Sequence, residues 1–252
     1  EKENQHIYFK TGIKVESTFT APKIYWLKKN KPEIYNNAYK IIVIPDYLIF
    51  LLTGKYVTDH TYGSRTLLMN IYTKQWDQDL FNYFQIDKEK LRDLVAPGSI
   101  CGYITDKFAK KTGLQSNIPV ITAGGDQQCA ALGLHVFGKG TIEVTSGTGS
   151  FIIACDDVPK FDDQMRTMCQ VSAIPNKYNI EAAIPTTSTI YHWFNDNFYN
   201  KSKEQKYIFQ MINNEASSSP VGSNGLMMLP HFQGSYSNSL AKGLFFNISL
   251  GI

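Results

Sequence analysis

Residues 118–151, IPVITAGGDQQCAALGLHVFGKGTIEVTSGTGSF, combine a strand pattern, a helix pattern and a hairpin pattern. The apolar residues at 118–122 are contiguous and β-rich, which is typical of a buried strand. Two glycines and Asp126 follow, and QQCAALGLHVF then has helical spacing. This order places a carboxylate between a strand and a helix, where α/β proteins hold groups that contact ligands.

Asp126 has two interpretations from the local pattern. The preceding glycines allow a close backbone approach, so the carboxylate could contact a ligand. The alternative is helix N-capping, for which Asp is a preferred residue and which needs no substrate. The local pattern favours capping and leaves ligand contact open.

The turn Gly147-Thr148-Gly149 separates two β-rich runs and predicts a hairpin in which glycine supplies positive φ. Such a turn could present successive N–H groups and a hydroxyl to a phosphate. An ordinary hairpin turn is the alternative, because no Gly-Lys-Ser/Thr follows and the segment is not a Walker A sequence.

A third candidate is the segment TFTAPK at 18–23, followed by Trp26. A basic residue and an indole near a helix start could bind a polar ligand, but we expect Trp26 to belong to the core. The five histidines have no HxH or HExxH spacing, and the four cysteines match no paired zinc pattern. We therefore predict no metal site held by His and Cys side chains.

The composition indicates a folded protein without a nucleic-acid or membrane partner. The chain has 252 residues, 43% of them hydrophobic, and a net charge of +3 from 25 basic and 22 acidic residues. These values are typical of globular proteins, and the charge is too small to indicate nucleic-acid binding. The most apolar run, 41–52, is shorter than the roughly 20 residues of a membrane span.

The helix-rich first part of the chain changes to strand patterns near residues 138–140, where we place a domain boundary. The predicted strands include two at 165–174 and 178–184. The predicted helices cover Pro22–Asn30, Ile34–Lys40, Pro45–Leu52, the surface segment DKEKLRDL at 87–94 and TIYHWFNDNFY at 189–199.

Four motifs in order resemble those of the FGGY family of carbohydrate kinases. The segment FTAPKIYWLKKN (19–30) is similar to the first signature of the family, and its FTAPK residues are typical of xylulokinase-like members. PDYLIFLLTGKYVTDHTYGSRTLLMNIYTKQWD (45–77) is similar to the family's "LTG…TD" region. Residues 118–151 join an aspartate segment to a phosphate-binding hairpin at the family's spacing, and KGLFFNISLGI (242–252) matches the start of a later signature.

The resemblance implies an α/β fold of the actin/hexokinase-like, RNase-H-like ATPase type, incomplete here, with two domains around a cleft. Residues 1–138 would be the later part of the N-terminal sugar-binding domain. Residues 139–252 would be the first part of the C-terminal nucleotide-binding domain. The family's opening Asp-x-Gly-Thr strand has no counterpart in these residues, so we expect an internal portion that is inactive by itself.

The resemblance also implies ATP-dependent phosphorylation of a sugar or polyol hydroxyl, with ATP and Mg²⁺ and a ketose such as xylulose as the favoured substrate. Carried over by position, Asp126 is the general base and Gln127 a substrate contact. The residues implied at the nucleotide are Gly147, Thr148, Gly149 and Ser188. A cytoplasmic location follows from the need for ATP and the absence of a signal pattern, and the resemblance is compatible with a homodimer.

Two other functions remain open. The sequence Asp126-Gln127-Gln128 is similar to that of glycerol kinases, although Thr18 stands where these enzymes carry Tyr. A catalytically inactive sugar- or nucleotide-binding module is motivated by departures from the family pattern at Ser188, at GSYS (234–237) and at Asn247, where glycine is usual.

Overall fold

The computed structural model describes residues 2–199, 205–235, 238 and 240–249, so residues 236 and 237 of the GSYS segment lie outside the described residues. The helices are α1 Lys2–Thr11, α2 Thr20–Asn30, α3 Pro32–Asn37, α4 Ile44–Thr53, α5 His60–Ser64, α6 Gln78–Phe84, α7 Asp106–Thr112, α8 Asp126–Gly133, α9 Ser188–Phe198 and α10 Gln205–Ser218. The strands are β1 Val57–Asp59, β2 Met69–Asn70, β3 Gln75–Trp76, β4 Asp93–Val95, β5 Ile100–Tyr103, β6 Pro119–Ile121, β7 Ile142–Ser146, β8 Ser150–Asp156, β9 Met168–Val171, β10 Tyr178–Ile184, β11 Met227–Leu229 and β12 Leu244–Phe246.

The largest described sheet has four strands in the order β7-β8-β10-β9. Its β9 and β10 are antiparallel, with Gln170 opposite Asn179. The other sheets are two-stranded: β1 pairs with β4 in parallel, and β5-β6, β2-β3 and β11-β12 are antiparallel. The protein therefore combines helices with mixed sheets.

The chain divides into two compact units that are interleaved in sequence. The first comprises residues 1–143 and 153–181, and the second comprises 144–152 and 182–252. The strands β7, β8 and β10 each contribute residues to both units. The assignment of residues 1–138 and 139–252 to two kinase domains is a statement about the family and stays a prediction.

The core of the first unit lies among its early helices. Apolar residues of α1, α2, α3 and α6 pack with Leu67 and Leu68. Met69 and Ile71 form a second cluster with Cys169 and Val171 of β9. Gly12, at φ 84°, lets α1 end against β9: its carbonyl accepts the N–H of Cys169 at 2.8 Å, and any Cβ there would collide with the carbonyl of Cys169.

Several local predictions are confirmed. Helices α2, α4 and α9 lie where the sequence pattern placed them, and α4 is closed by Gly54 at φ 75°. The predicted hairpin strands correspond to β7 and β8, and the next two predicted strands to β9 and β10. The helix predicted at 34–40 is found at Pro32–Asn37, because proline begins it two residues earlier.

The surface helix predicted at 87–94 is wrong. Only a 3₁₀ turn at Lys88–Lys90 forms, and β4 then pairs with β1. The reason is Arg92, whose side chain is fully buried and whose Nε lies 2.6 Å from Oδ2 of buried Asp46. The Arg92 guanidinium also faces the ring of Trp76, whose Nε1 donates to the Arg92 carbonyl at 2.8 Å.

Two burial predictions are also wrong. Trp26 is 56% exposed, because Ala21 and Ile24 are the residues of α2 that enter the core. The segment at 118–122 does contain a strand, but Ile121 is 56% exposed, and in the described part of the chain β6 pairs with β5 alone.

The Asp46–Arg92 pair yields a stability prediction. Burial raises the pKa of Asp46 and lowers the pKa of Arg92, while each charge opposes the shift of the other. Arg92→Met leaves a buried carboxylate without its counter-charge, so we expect a loss of about 3–5 kcal/mol in the free energy of unfolding, measured by urea titration.

The matched comparison is Lys28→Met, which removes a more exposed ion pair with Asp87 and should cost about 1 kcal/mol or less. Combining Arg92→Met with Asp46→Leu should recover part of the loss, because both buried charges are then removed. Equal losses for Arg92→Met and Lys28→Met would contradict the importance of the buried pair.

Candidate active site

The Gly124-Gly125-Asp126 segment is held in place by the hydroxyl of Thr61. This oxygen accepts the backbone N–H of Gly125 at 2.8 Å and donates to Oδ1 of Asp59 at 2.5 Å. Asp59 is the last residue of β1 and caps α5 by accepting the N–H of Thr61 at 2.8 Å. All these groups are buried, so the "TD" turn and the aspartate segment form one connected structure.

Asp126 is the first residue of α8, and its side chain is exposed. Its Oδ1 accepts the N–H of Gln127 at 2.8 Å. The N-cap residue is Gly125, so the capping role that the local pattern favoured is not the one that Asp126 has. Gly124 has φ 120°, a value that favours glycine, and it lies close to the side chains of Thr61 and Ala173.

A cavity of about 180 Å³ borders this segment at Gly124. Its polar lining includes Asp46, Thr58, Asp59 and Tyr62. Asp126 does not line this cavity, so the predicted base lies on the exposed surface beside it.

The two glutamines after Asp126 differ in environment. Gln127, the predicted substrate contact, is half-buried, and its Oε1 has no hydrogen-bond partner among the described residues. Gln128 is buried and donates from Nε2 to Oε1 of Gln170 at 2.7 Å. Sequence reasoning named Gln128 only in the segment similar to glycerol kinases and missed its contact, because its partner follows 42 positions later and leaves no local signal.

Gln170 connects three side chains of the first unit, of which Gln128 and Glu181 are buried and Arg65 is 37% exposed. Its Oε1 also accepts Nη1 of Arg65 at 3.0 Å, and its Nε2 donates to Oε2 of Glu181 at 3.1 Å. Arg65 lies 3.7 Å from the same Glu181 oxygen. We call Gln128, Gln170 and Glu181 the buried polar chain.

Glu181 contributes a carboxylate to the buried polar chain. It is buried, and burial raises its pKa above the usual range. Arg65 and the hydrogen bond from Gln170 act in the opposite direction, whereas the negative charges of Asp126 and Glu143 add to the rise.

The Gly147–Gly149 turn packs against the start of α9 within the second unit. The N–H of Thr187 donates to the carbonyl of Thr148 at 2.8 Å, and the N–H of Ser188 donates to the carbonyl of Gly147 at 3.1 Å. Gly147 and Thr148 are exposed, whereas Gly149 is buried. The structure thus brings the predicted nucleotide residues Gly147, Thr148, Gly149 and Ser188 together.

The reason for glycine at 149 differs from the prediction. Neither Gly147 nor Gly149 has a positive φ. Instead, a Cβ at 149 would lie 2.7 Å from the carbonyl oxygen of Ile184 and 3.0 Å from that of Pro185. Close packing against the chain before α9 therefore requires glycine at this position.

Asn247, where the resemblance leads us to expect glycine, has φ 63°. Asn tolerates this left-handed conformation better than most residues. The substitution therefore keeps the backbone shape that a glycine would provide.

Among the described residues, no group of three or more His, Cys, Asp or Glu side chains is placed to hold a metal ion. In the same part of the chain, no helix is long and apolar enough to cross a membrane.

Comparisons with known proteins agree on one family. The family model for the FGGY family of carbohydrate kinases, N-terminal domain, matches residues 1–133. A glycerol kinase of Thermococcus kodakarensis is 32% identical over 252 residues, which cover 96% of this chain and 48% of that protein. A xylulose kinase of Lactococcus lactis subsp. lactis is 27% identical, covering 92% of this chain and 46% of its own length.

The crystal structure of xylulose kinase from Rhodospirillum rubrum has a similar fold, with a TM-score of 0.91 at 22% identity. The match covers 99% of this chain and 50% of that one, and it confirms the actin/hexokinase-like fold. The chain spans about half the length of the curated relatives it matches. Because the family model covers more than half of its residues, the chain belongs to the FGGY family of carbohydrate kinases.

Proposed function

We propose that this chain is part of an ATP-dependent kinase that phosphorylates a hydroxyl of a sugar or polyol, with Asp126 as the general base. The observation that carries the proposal is the exposed Asp126 carboxylate on a backbone that Thr61 holds at Gly125. In phosphoryl transfer the protein chiefly positions the reactants, and a carboxylate can accept the proton of the attacking hydroxyl.

In the proposed reaction the γ-phosphoryl group of ATP moves to the substrate hydroxyl. The substrate oxygen forms a bond to the γ-phosphorus of ATP, the bond from that phosphorus to the β-phosphate oxygen breaks, and ADP leaves. Asp126 takes the hydroxyl proton. Gln127 contacts the substrate, and the exposed turn at Gly147 and Thr148, with Gly149 and Ser188 behind it, contacts the nucleotide phosphates.

The domain assignment belongs to the same proposal. Residues 1–138 act as part of a sugar-binding domain and 139–252 as part of a nucleotide-binding domain, in a cytoplasmic enzyme that uses ATP with Mg²⁺. The relatives are about twice as long as this chain. We expect these 252 residues by themselves not to phosphorylate a substrate. The experiments therefore use the full-length protein.

Asp126→Asn tests the base assignment. The amide keeps the size of the side chain but cannot accept the proton as a carboxylate does, so we expect kcat for sugar-dependent ADP release to fall by about 100-fold or more. The KM for the sugar should change little, because the contacts to the ground state remain.

The control for this variant is Asp79→Asn, an exposed aspartate in the first turn of α6. It should keep normal turnover. Unchanged kcat in Asp126→Asn would reject Asp126 as the base.

Gly149→Ala tests the nucleotide turn. The added methyl group collides with the carbonyls of Ile184 and Pro185, so the turn must shift. We expect the KM for ATP to rise by about tenfold with a smaller change in the KM for the sugar, measured by initial rates with each substrate varied.

Gly138→Ala is the matched control, because Gly138 has no heavy atom within 4 Å of an added Cβ and its φ is not positive. If Gly149→Ala raised the KM for the sugar and left that for ATP unchanged, the assignment of this turn to the nucleotide would be wrong.

A substrate panel decides between a ketose and glycerol. We favour a ketose such as xylulose because the FTAPK segment is typical of xylulokinase-like members, whereas the 32% identity to a glycerol kinase favours glycerol. For a ketose kinase, kcat/KM with xylulose should exceed that with glycerol by about tenfold or more, which a coupled ADP assay measures. The reverse order would assign glycerol as the substrate, and turnover of neither would favour the inactive binding module.

A further inference from the structure

The buried polar chain lies directly below the backbone that carries Asp126. Gln128 follows Asp126 by two positions in α8, and its Oε1 occupies the space that a Cβ at Gly125 would need. The side-chain amide of Gln128 is therefore packed against the residue that precedes the proposed base. A shift of this amide would be transmitted to Gly125 and Asp126.

Gln170 determines where that amide lies. Its fully buried side chain accepts from Gln128 at 2.7 Å and from Arg65 at 3.0 Å, and it donates to Glu181 at 3.1 Å. Three partners leave this side chain a single orientation, because its amide oxygen must face two donors and its amide nitrogen must face a carboxylate. Glu181 thus selects the orientation of Gln170, and Gln170 places Gln128.

Stability alone does not account for this arrangement. Burying Glu181 next to Arg65 costs desolvation, and apolar residues of similar volume at such sites are often as stabilising. Burial is the main cause of the raised pKa of Glu181, and the negative charges of Asp126 and Glu143 add to the rise. Among the described residues, the Asp126 side chain accepts one hydrogen bond, from the N–H of Gln127, so its position follows the backbone of α8.

We infer that Gln170, held by Glu181, is a positioning residue: through Gln128 it sets the start of α8 and thereby the place of the Asp126 carboxylate. This inference rests on the proposed function, in which Asp126 is the base. Arg65 holds the same Gln170 oxygen from the opposite end of the chain of contacts, and Thr61 holds Gly125 from α5. The proposed base is thus supported by two separate sets of hydrogen bonds, which are buried except for the partly exposed contact of Arg65.

The test compares Gln170→Leu with a swapped pair in the full-length protein. Gln170→Leu removes all three hydrogen bonds, and we expect kcat to fall by between about 10-fold and about 100-fold, since small displacements of a catalytic group have effects of this size. The KM for the sugar or polyol substrate should stay within about twofold of the value for the unmodified protein. Gln78→Leu, on the exposed face of α6, should leave both unchanged.

The swapped pair combines Gln170→Glu with Glu181→Gln. The new carboxylate at 170 can accept from Gln128, from Arg65 and from the new amide at 181, so the three hydrogen bonds of position 170 can re-form, with donor and acceptor exchanged between 170 and 181. We expect the pair to recover most of the kcat that Gln170→Glu alone loses, because that single variant sets two carboxylates against each other.

The inference is overturned if folded Gln170→Leu keeps normal kcat, or if its defect lies in the KM for the polyol. If Gln170→Leu does not fold, the double variant Gln170→Glu/Glu181→Gln is the test. The inference is rejected if this double variant has no higher kcat, or no higher folded fraction, than Gln170→Glu alone. Asp126→Asn in the same series separates the two levels. Normal kcat in Asp126→Asn refutes the proposed function. A low kcat in Asp126→Asn together with a normal kcat in Gln170→Leu refutes the positioning role of Gln170 and leaves the proposed function standing.

Discussion

The hydrogen bond from the backbone N–H of Gly125 to the hydroxyl of Thr61 is the contact on which the candidate site depends. A hydroxyl can accept one hydrogen bond and donate another, and Thr61 uses both capacities, toward Gly125 and toward Asp59. Because these groups are buried, leaving any one of them unpaired would cost free energy. The contact therefore fixes two segments that lie 64 positions apart, and the proposed base inherits its position from it.

The glycines near the site are needed for different reasons. Gly124 has a positive φ, and Gly125 leaves room for the amide of Gln128. Gly149 has an ordinary φ but packs against two carbonyl groups, which no residue with a Cβ could approach as closely. A glycine-rich sequence therefore indicates a constrained backbone without stating whether torsion angle or packing imposes the constraint.

Patterns within a short window predicted the helices α2, α4 and α9 and the strands β7–β10, because capping, periodicity and turn residues act locally. The errors arose where a distant residue determined the outcome. Arg92 reads as a surface residue until Asp46 and Trp76 are known to surround it. Gln170 and Glu181 belong to no motif found in the sequence, and Gln128 was noted only in a segment similar to glycerol kinases, since their contacts are hydrogen bonds across 42 and 11 positions. Local pattern offered Asp126 and the Gly147–Gly149 turn as candidates, whereas their roles as base and nucleotide contacts, and the choice of Gln127 and Ser188, came from a resemblance to a family.

Capping and base catalysis looked like alternatives for Asp126 because both need a carboxylate at a helix start. The structure separates them by one residue: Gly125 occupies the N-cap, and Asp126 follows inside the helix with its side chain exposed. A carboxylate used as a cap would spend its oxygens on backbone N–H groups, whereas Asp126 uses Oδ1 for one such bond, to Gln127. Buried hydrogen bonds hold the backbone at Gly125, and in the proposed reaction the exposed Asp126 carboxylate accepts the proton. That division suits phosphoryl transfer, in which the position of the carboxylate must be set before the substrate arrives.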